Sequence, residues 1–324
     1  MPHDRFHLRK AEPHDIDEVV DVCAAALGWT DPNFDRALFR WKHVHNPFGH
    51  SQIFIAEDDD GIAAVRPFMH WNFIDGTGGT TTDANPLLRA TRAVDTATHP
   101  RAQGQGLFRS LTEMGLAELE KDGTSFVFNT PNEKSLRGYL TMGWLDAGQI
   151  EFGYGIRSPL SLPRLVGART AASKKSLPTP EIGLDIEDGL ALLDAEKLDQ
   201  AHKSGHLTTA HTIETLRWRY GQSPMTYRFL AGPDGSGLIV RLRQRGSAIE
   251  LVVAQKIGQI ENDVAGRAIR NAMARSSADH CIGWKGLGAT VSTDRLGPTL
   301  ALRALSESPN PAGFEWQPGD IELF

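Results

Sequence analysis

Apolar residues recur along the chain with two different periods. Over residues 15–27, Ile16, Val19, Val20, Cys23 and Leu27 fall at helical spacing, so they share one face and predict an amphipathic helix. Residues 52–56 are a continuous β-prone run, QIFIA. The cluster Asp58, Asp59, Asp60 and Gly61 marks a tight turn into a second strand over 62–73. Residues 74–92, rich in Gly, Thr and Asn, predict a loop. A strand over 92–98 then runs into Pro100. Residues 107–121 predict a helix with Phe108, Leu111, Gly115 and Leu119 along one face. A short strand at 126–128, a break at Pro131 and a helix opening at Asn132 follow; asparagine is a good N-cap type. Gly143 ends that helix and Trp144 starts the next strand.

The texture changes over 156–181, where Pro159, Pro163, Pro178 and Pro180 bracket a small basic stretch containing Lys174 and Lys175. This linker composition divides the chain into residues 1–155, a connection 156–181, and residues 182–324. Across the boundary runs an internal repeat. FRWKHVHNPFG at 39–49 resembles LRWRYGQSPMT at 216–226, pairing Trp41 with Trp218 and Pro47 with Pro224. Each copy precedes an apolar strand and an Asp-Gly turn, Asp60 and Gly61 in one, Asp234 and Gly235 in the other. Such a repeat predicts two copies of one fold. In the second copy HTIETLRWRY reads as an amphipathic helix, with Trp218, Arg217 and Arg219 as packing and surface residues.

Composition narrows the function classes. With 324 residues, 34 Lys and Arg, 40 Asp and Glu and a net charge of −6, the chain has no electrostatic footprint for nucleic acid or an anionic membrane. No window approaches the length of an apolar membrane span, and the opening residues lack the order of a secretion signal. Two cysteines, Cys23 and Cys281, make no disulfide framework. The twelve histidines are scattered, and none has the spacing of a metal helix, so the expectation is a cytoplasmic protein with reduced thiols and no metal.

Candidate chemistry concentrates in AVDTATHPRAQGQGLFR at 93–109. A strand, a loop with Gly104 and Gly106, and a helix present bare N–H groups and a helix dipole, both favourable to phosphate. Glycine permits positive φ and close backbone approach. No Lys-Ser or Lys-Thr follows, so the ATPase phosphate loop is excluded, and the third glycine of a dinucleotide fingerprint is absent. In the next segment, Asn132 and Tyr139 lie nearly two helical turns apart on one stripe. Tyr139 can be a core aromatic beside Leu136 and Leu140, or a functional phenol.

Together the two segments resemble the GNAT superfamily of acyl-CoA-dependent N-acetyltransferases, over roughly residues 5–150. Its Q/R-x-x-G-x-G/A motif falls with Gln103 first and Gly106 fourth, leaving Phe108 where Gly or Ala is usual; a register starting at Arg101 also fits the letters. The family's asparagine, tyrosine and glycine-aromatic pair match Asn132, Tyr139, Gly143 and Trp144. The resemblance implies a mixed α/β (α+β) fold with a mostly antiparallel sheet flanked by helices, here duplicated. It implies acetyl-CoA as co-substrate, with the backbone of Thr96, Ala97 and Thr98 along the pantetheine arm. The N–H groups of Gly104, Gln105, Gly106, Leu107, Phe108 and Arg109 would hold the pyrophosphate beside Gln103, and Asn132 would also contact the cofactor. Tyr139 is then the general acid, since a phenol with a reference pKa near 10 protonates a thiolate without ionising at neutral pH. A main-chain N–H around Thr96 to Thr98 would polarise the thioester.

The implied reaction is direct acetyl transfer to a primary amine of a small molecule. The family's usual glutamate base is absent, since the matching stretch is Phe126, Val127 and Phe128. Asp95, His70, His99, a water chain or the chain-end carboxylate of Phe324 are the alternatives. Over 253–272 the second half carries Glu261 and Asp263 where phosphate needs bare N–H groups, which predicts a degenerate copy. Competing readings are an aminoacyl transferase of tandem architecture and a non-catalytic acyl-CoA-binding regulator.

Overall fold

The computed structural model describes residues 5–76, 87–166, 170–179, 182–193, 198, 205–287 and 292–322. The chain opens with β1 (His7–Lys10), α1 (Ile16–Ala26), α2 (Pro32–His43), β2 (Gln52–Asp58) and β3 (Gly61–Asp75). It continues through β4 (Leu87–Ala93), β5 (Ala97–Thr98), α3 (Leu107–Lys121), β6 (Phe126–Asn129), α4 (Glu133–Thr141) and β7 (Leu145–Ile156). The second half adds β8 (Leu207–Thr209), β9 (Arg228–Ala231), β10 (Gly237–Arg245), β11 (Ala248–Ile257), a helix Asn262–Ser276, β12 (His280–Gly283) and β13 (Ser292–Ala304). No helix among the described residues is long and apolar enough to cross a membrane.

The strands form one mixed, mostly antiparallel sheet in the order β1-β2-β3-β4-β6-β13-β7-β12-β11-β10-β9. Outward from the β13–β7 seam, each side repeats the other. β6 and β4 run parallel, pairing Ala90 with Phe126 and Arg92 with Phe128. β12 and β11 also run parallel, pairing Glu250 with His280 and Val252 with Ile282. In each case one long helix connects the parallel pair, as parallel neighbours require. The fold is thus a duplicated α/β sheet flanked by helices, as expected. The two central strands are exchanged in sequence: β13, from the end of the chain, lies between β6 and β7, and β7 also pairs with β12.

The repeat at 39–49 and 216–226 lies at the contact between the halves. Trp41 and Trp218 are both buried and stack with centroids 4.8 Å apart at 20°. Each indole N–H donates to the other's main-chain carbonyl, at 2.9 Å from Trp41 and 3.0 Å from Trp218. Such reciprocity is the mark of a two-fold contact between like elements. Arg219 departs from its surface assignment. It is 1% exposed, its guanidinium lies over the rings of Trp41, Tyr220 and Tyr227, and it donates to Gly319 O at 2.8 Å. The segment HTIETLRWRY is helical only over Ile213–Leu216 and widens to a π turn over Arg217–Gly221.

Local expectations fare well in the first half. α3 spans the expected residues and buries Leu111, Gly115 and Leu119 of the expected face, with Phe108 half-buried; a Cβ at Gly115 would come within 2.2 Å of the Phe68 ring, so this helix lies directly on the sheet. Two boundaries differ. Residues 87–92, expected in a loop, belong to β4, where the alternation is masked by Arg89 and Arg92; residues 77–86 lie outside the described part. The expected strand 92–98 is broken, because Asp95 takes φ 51°. Within the expected linker, Ser173 and Leu177 donate main-chain N–H groups to Gln244 O and Leu242 O, both at 2.8 Å, so this stretch lies along the edge of β10.

Candidate active site

The site begins where two parallel strands stop pairing. The β4–β6 ladder ends at Arg92 and Phe128. Beyond it, Asp95 at positive φ turns the chain so that β5 pairs with β3 alone, Ala64 opposite Thr98 and Val65 opposite Ala97. His99 N–H donates to Ala63 O at 2.8 Å. Alternation in an antiparallel ladder therefore turns the amide of Ala97 towards β3 and that of Thr98 away from it. The gap is a cleft of about 760 Å³, walled on one side by Asp95, Thr96 and Thr98 and on the other by Asn129, Thr130 and Asn132. Of the three residues expected along a pantetheine arm, Thr96 and Thr98 line it and Ala97 turns its amide to the sheet.

The glycine loop leads into α3, whose second residue, Phe108, lines the cleft. Gly104 and Gly106 take φ 77° and 78°, a region open to glycine without strain, and no atom lies within 4 Å of where their Cβ would stand. Gly106 is the N-cap of α3 and has no side chain to satisfy the helix start. Among the described residues, the N–H groups of Gly104, Gln105, Gly106, Leu107 and Phe108 have no acceptor, whereas that of Arg109 reaches Gly106 O at 3.0 Å. Gln103 donates to Thr98 O at 3.3 Å. The Arg109 side chain turns to Glu113 and to Thr141 O. The Phe108 ring packs edge-on against Tyr139 at 5.4 Å and under the Arg66 guanidinium, so its bulk is stowed inward and the helix start stays bare.

Tyr139 is 2% exposed and lines the cleft. Its hydroxyl oxygen accepts from Arg66 Nη1 at 2.8 Å and from Asn129 Nδ2 at 2.9 Å. Arg66 also donates to Thr96 Oγ1, tying the phenol to the strand across the gap. Its guanidinium is fully buried, sheltered by the faces of Phe68, Phe108 and Tyr139, and its Nε and Nη2 have no partner among the described residues. Arg66 and Asn129 escaped the sequence reading. The available signal was Arg66 itself, one charge inside the apolar run IAAVRPFM. Asn132 caps α4, its Oδ1 accepting from Ser135 N at 3.0 Å, and lines the cleft.

The proton-accepting candidates separate. Asp95 lines the cleft but its carboxylate is already engaged by Lys42 and by His43 Nε2 at 2.9 Å. Burial pushes it up, yet Lys42 and His43 hold it well below the usual carboxylate range. Burial also pushes His43 down despite Asp95, leaving a neutral imidazole. His70 and His99 do not border the cleft; His99 Nδ1 accepts from Arg101 N. Phe324 lies outside the described residues. Among the described residues no group of three or more His, Cys, Asp or Glu could hold a metal ion, and Cys23 and Cys281 are free and buried.

The equivalent gap in the second half is filled. Four residues beyond the end of its parallel pair, Lys256 stands where Thr96 does in the first, and its N–H donates to Gln317 Oε1 at 2.6 Å. Gly319 lies so close that a Cβ would meet Ala254 O at 2.7 Å. The turn Pro318–Ile321 thus packs along β11. Only residues 258–261 connect β11 to its helix, against 99–106 in the first half, and Glu261 and Asp263 stand at the helix start.

The family model of the acetyltransferase (GNAT) domain matches residues 7–145. A probable N-acyltransferase from Enterococcus faecalis is similar in fold with a TM-score of 0.61 at 12% identity, over 93% of this chain and 73% of that one. A GCN5-related N-acetyltransferase from Anabaena variabilis gives 0.59 at 13% identity, with the same shares. Eis1 from Mycobacterium abscessus gives 0.54 at 11%, again over 93% and 73%. No curated protein matches the sequence. The likeness to these structures is one of fold, and it runs through both halves.

Proposed function

We propose that this chain, whose residues 7–145 match the family model of the acetyltransferase (GNAT) domain, moves an acetyl group from acetyl-CoA to a primary amine of a small molecule. One observation carries the reading: Thr96, Thr98, Tyr139 and Phe108, the second residue of α3 and next to the bare amides of Gly104 to Leu107, line one cleft between β4 and β6. The diphosphate would lie on Gly104 to Phe108, and the pantetheine arm would follow Thr96 and Thr98 as an added strand. The amine lone pair forms the N–C bond at the thioester carbonyl, whose oxygen an amide of that strand stabilises. The C–S bond breaks with its electron pair on sulfur, and Tyr139 supplies the thiol proton. The nitrogen releases one proton, and water in the cleft returns one to Tyr139. Amine and acetyl-CoA become acetamide and coenzyme A. Mass spectrometry of an amine pool incubated with the protein and acetyl-CoA tests this: products heavier by one acetyl group are expected, and binding of acetyl-CoA without turnover overturns it.

Two further results follow. Lys42 and His43 engage Asp95 Oδ2 and hold the carboxylate far below the usual carboxylate range, too weak a base for an ammonium, so the attacking nitrogen loses its proton to solvent. The rising limb of kcat/KM with pH then tracks the pKa of the acceptor. Two amines of different pKa give limbs displaced by that difference, whereas one shared limb reveals a base on the protein. Calorimetric titration is also expected to count one coenzyme A per chain, since Gln317 and Pro318–Ile321 occupy the second gap. A stoichiometry of two contradicts this.

A further inference from the structure

Arg66 brings a full positive charge into the interior and meets no negative one. It is fully buried on β3. Among the described residues its guanidinium bonds only to two neutral hydroxyls, Thr96 Oγ1 and Tyr139 Oη. Arg241, equally buried, meets the Glu322 carboxylate at 2.9 Å. A buried charge without a counter-ion is costly. The faces of Phe68, Phe108 and Tyr139 shelter Arg66 but offset only part of that cost.

The Tyr139 hydroxyl is held in one sense. Arg66 Nη1 at 2.8 Å and Asn129 Nδ2 at 2.9 Å both donate to its oxygen. The Asn129 amide has no freedom to flip, because its Oδ1 accepts from Thr130 N at 2.7 Å. A guanidinium has no acceptor, and this amide presents only N–H to the ring, so neither partner can take the phenolic proton. No other described group accepts it, and Tyr139 lines the cleft together with Thr96 and Asn129. The proton is therefore left for an acceptor held in the cleft. Once it departs, the oxygen carries the negative charge that Arg66 lacks, and hydrogen bonds to an ionised oxygen are roughly twice as strong as neutral ones.

Resting on the transfer reaction above, we propose that Arg66 and Asn129 are positioning residues for Tyr139: together they direct its proton at the leaving sulfur and hold the phenolate that remains. The O–H bond of Tyr139 breaks as the S–H bond of coenzyme A forms. The phenolate rests between Arg66 Nη1 and Asn129 Nδ2 until water returns the proton that the amine released. The site thus passes from a lone buried cation to a matched ion pair in the step that expels the thiol, and the interaction is stronger there than in the ground state, which is what accelerates a step.

The test measures thiol release, calorimetric binding of acetyl-CoA and thermal unfolding on the full chain, for Arg66→Met, Arg66→Lys and Asn129→Asp, each with and without Tyr139→Phe. Arg66→Met is expected to lower kcat roughly ten- to hundredfold, the worth of one hydrogen bond to a charged group, with the Kd for acetyl-CoA within about threefold. Arg66→Lys, which keeps the charge, recovers part of the loss. Asn129→Asp offers the phenol an acceptor in place of a donor and turns its proton away from the cleft. Its kcat falls by a similar factor without a drop in melting temperature, since the new carboxylate is drawn to Arg66; a merely structural role would lose activity and stability together. Asn129→Asp carries the test alone if Arg66→Met does not fold. In the Tyr139→Phe background none of the three lowers kcat further, because they act through the missing hydroxyl. Equal losses with and without that hydroxyl, or full kcat in Arg66→Met or Asn129→Asp, overturn the positioning role while the transfer reaction stands. Full kcat in Tyr139→Phe alone, or no turnover by the unaltered chain, removes the reading beneath it and this inference as well.

Discussion

Tyr139→Phe lowers kcat by about 10²- to 10⁴-fold, the usual worth of one acid–base group, while acetyl-CoA still binds. The ring is held independently of its hydroxyl: it packs against Trp144 at 4.7 Å and Phe108 at 5.4 Å between centroids, so phenylalanine takes the same place. What is lost is the oxygen that accepts from Arg66 and Asn129 and the proton offered to the leaving sulfur. Asn129 Nδ2 then lacks its acceptor, at about 1–3 kcal/mol, and Arg66 Nη1 keeps only Thr96 Oγ1, so the variant also unfolds at lower temperature. Steady-state thiol release, with calorimetric binding of acetyl-CoA as the control, separates these effects. Undiminished kcat in a variant that binds acetyl-CoA would remove Tyr139 from the acid role.

The second large effect is on stability. Trp218→Ala costs about 3–5 kcal/mol, the range for an aromatic removed from a packed core. Trp218 is 2% exposed, stacks on Trp41, meets Phe48 and Trp71 edge-on, and donates to the Trp41 carbonyl. Against a typical net stability of about 5–15 kcal/mol, this is a large share. Denaturant unfolding monitored by circular dichroism measures it. Because the two indoles touch, Trp41→Ala and Trp218→Ala together cost less than the sum of the single changes. A loss below about 1 kcal/mol for either single change would mean that the junction between the halves is held elsewhere.

Legibility from the sequence followed the range of the interactions. α3, the Asn132 cap and the positive-φ glycines were readable because a helix face, a cap and a turn are each decided within a few residues. The tryptophan repeat pointed to duplication, but its spacing carried no sign that the two copies would bond to each other. Arg66, Arg219 and Arg241 illustrate a different limit. Arg219 read as a packing or surface position and Arg66 and Arg241 drew no reading; only the packed structure shows the rings and carbonyls that surround them. The pairing of β13 with β6 and β7 had no local signal at all, since its partners lie more than a hundred residues away.

That exchange bears on how the molecule is made. A ribosome delivers β6 and β7 long before β13, the strand that must come to lie between them. Throughout synthesis of the second half, the nascent first half carries an unzipped edge on both strands, with its amides and carbonyls waiting for a partner still to be translated. Completion of the first half therefore waits for the end of the second, and a chain stalled or clipped before residue 292 would be left with an aggregation-prone slot between β6 and β7.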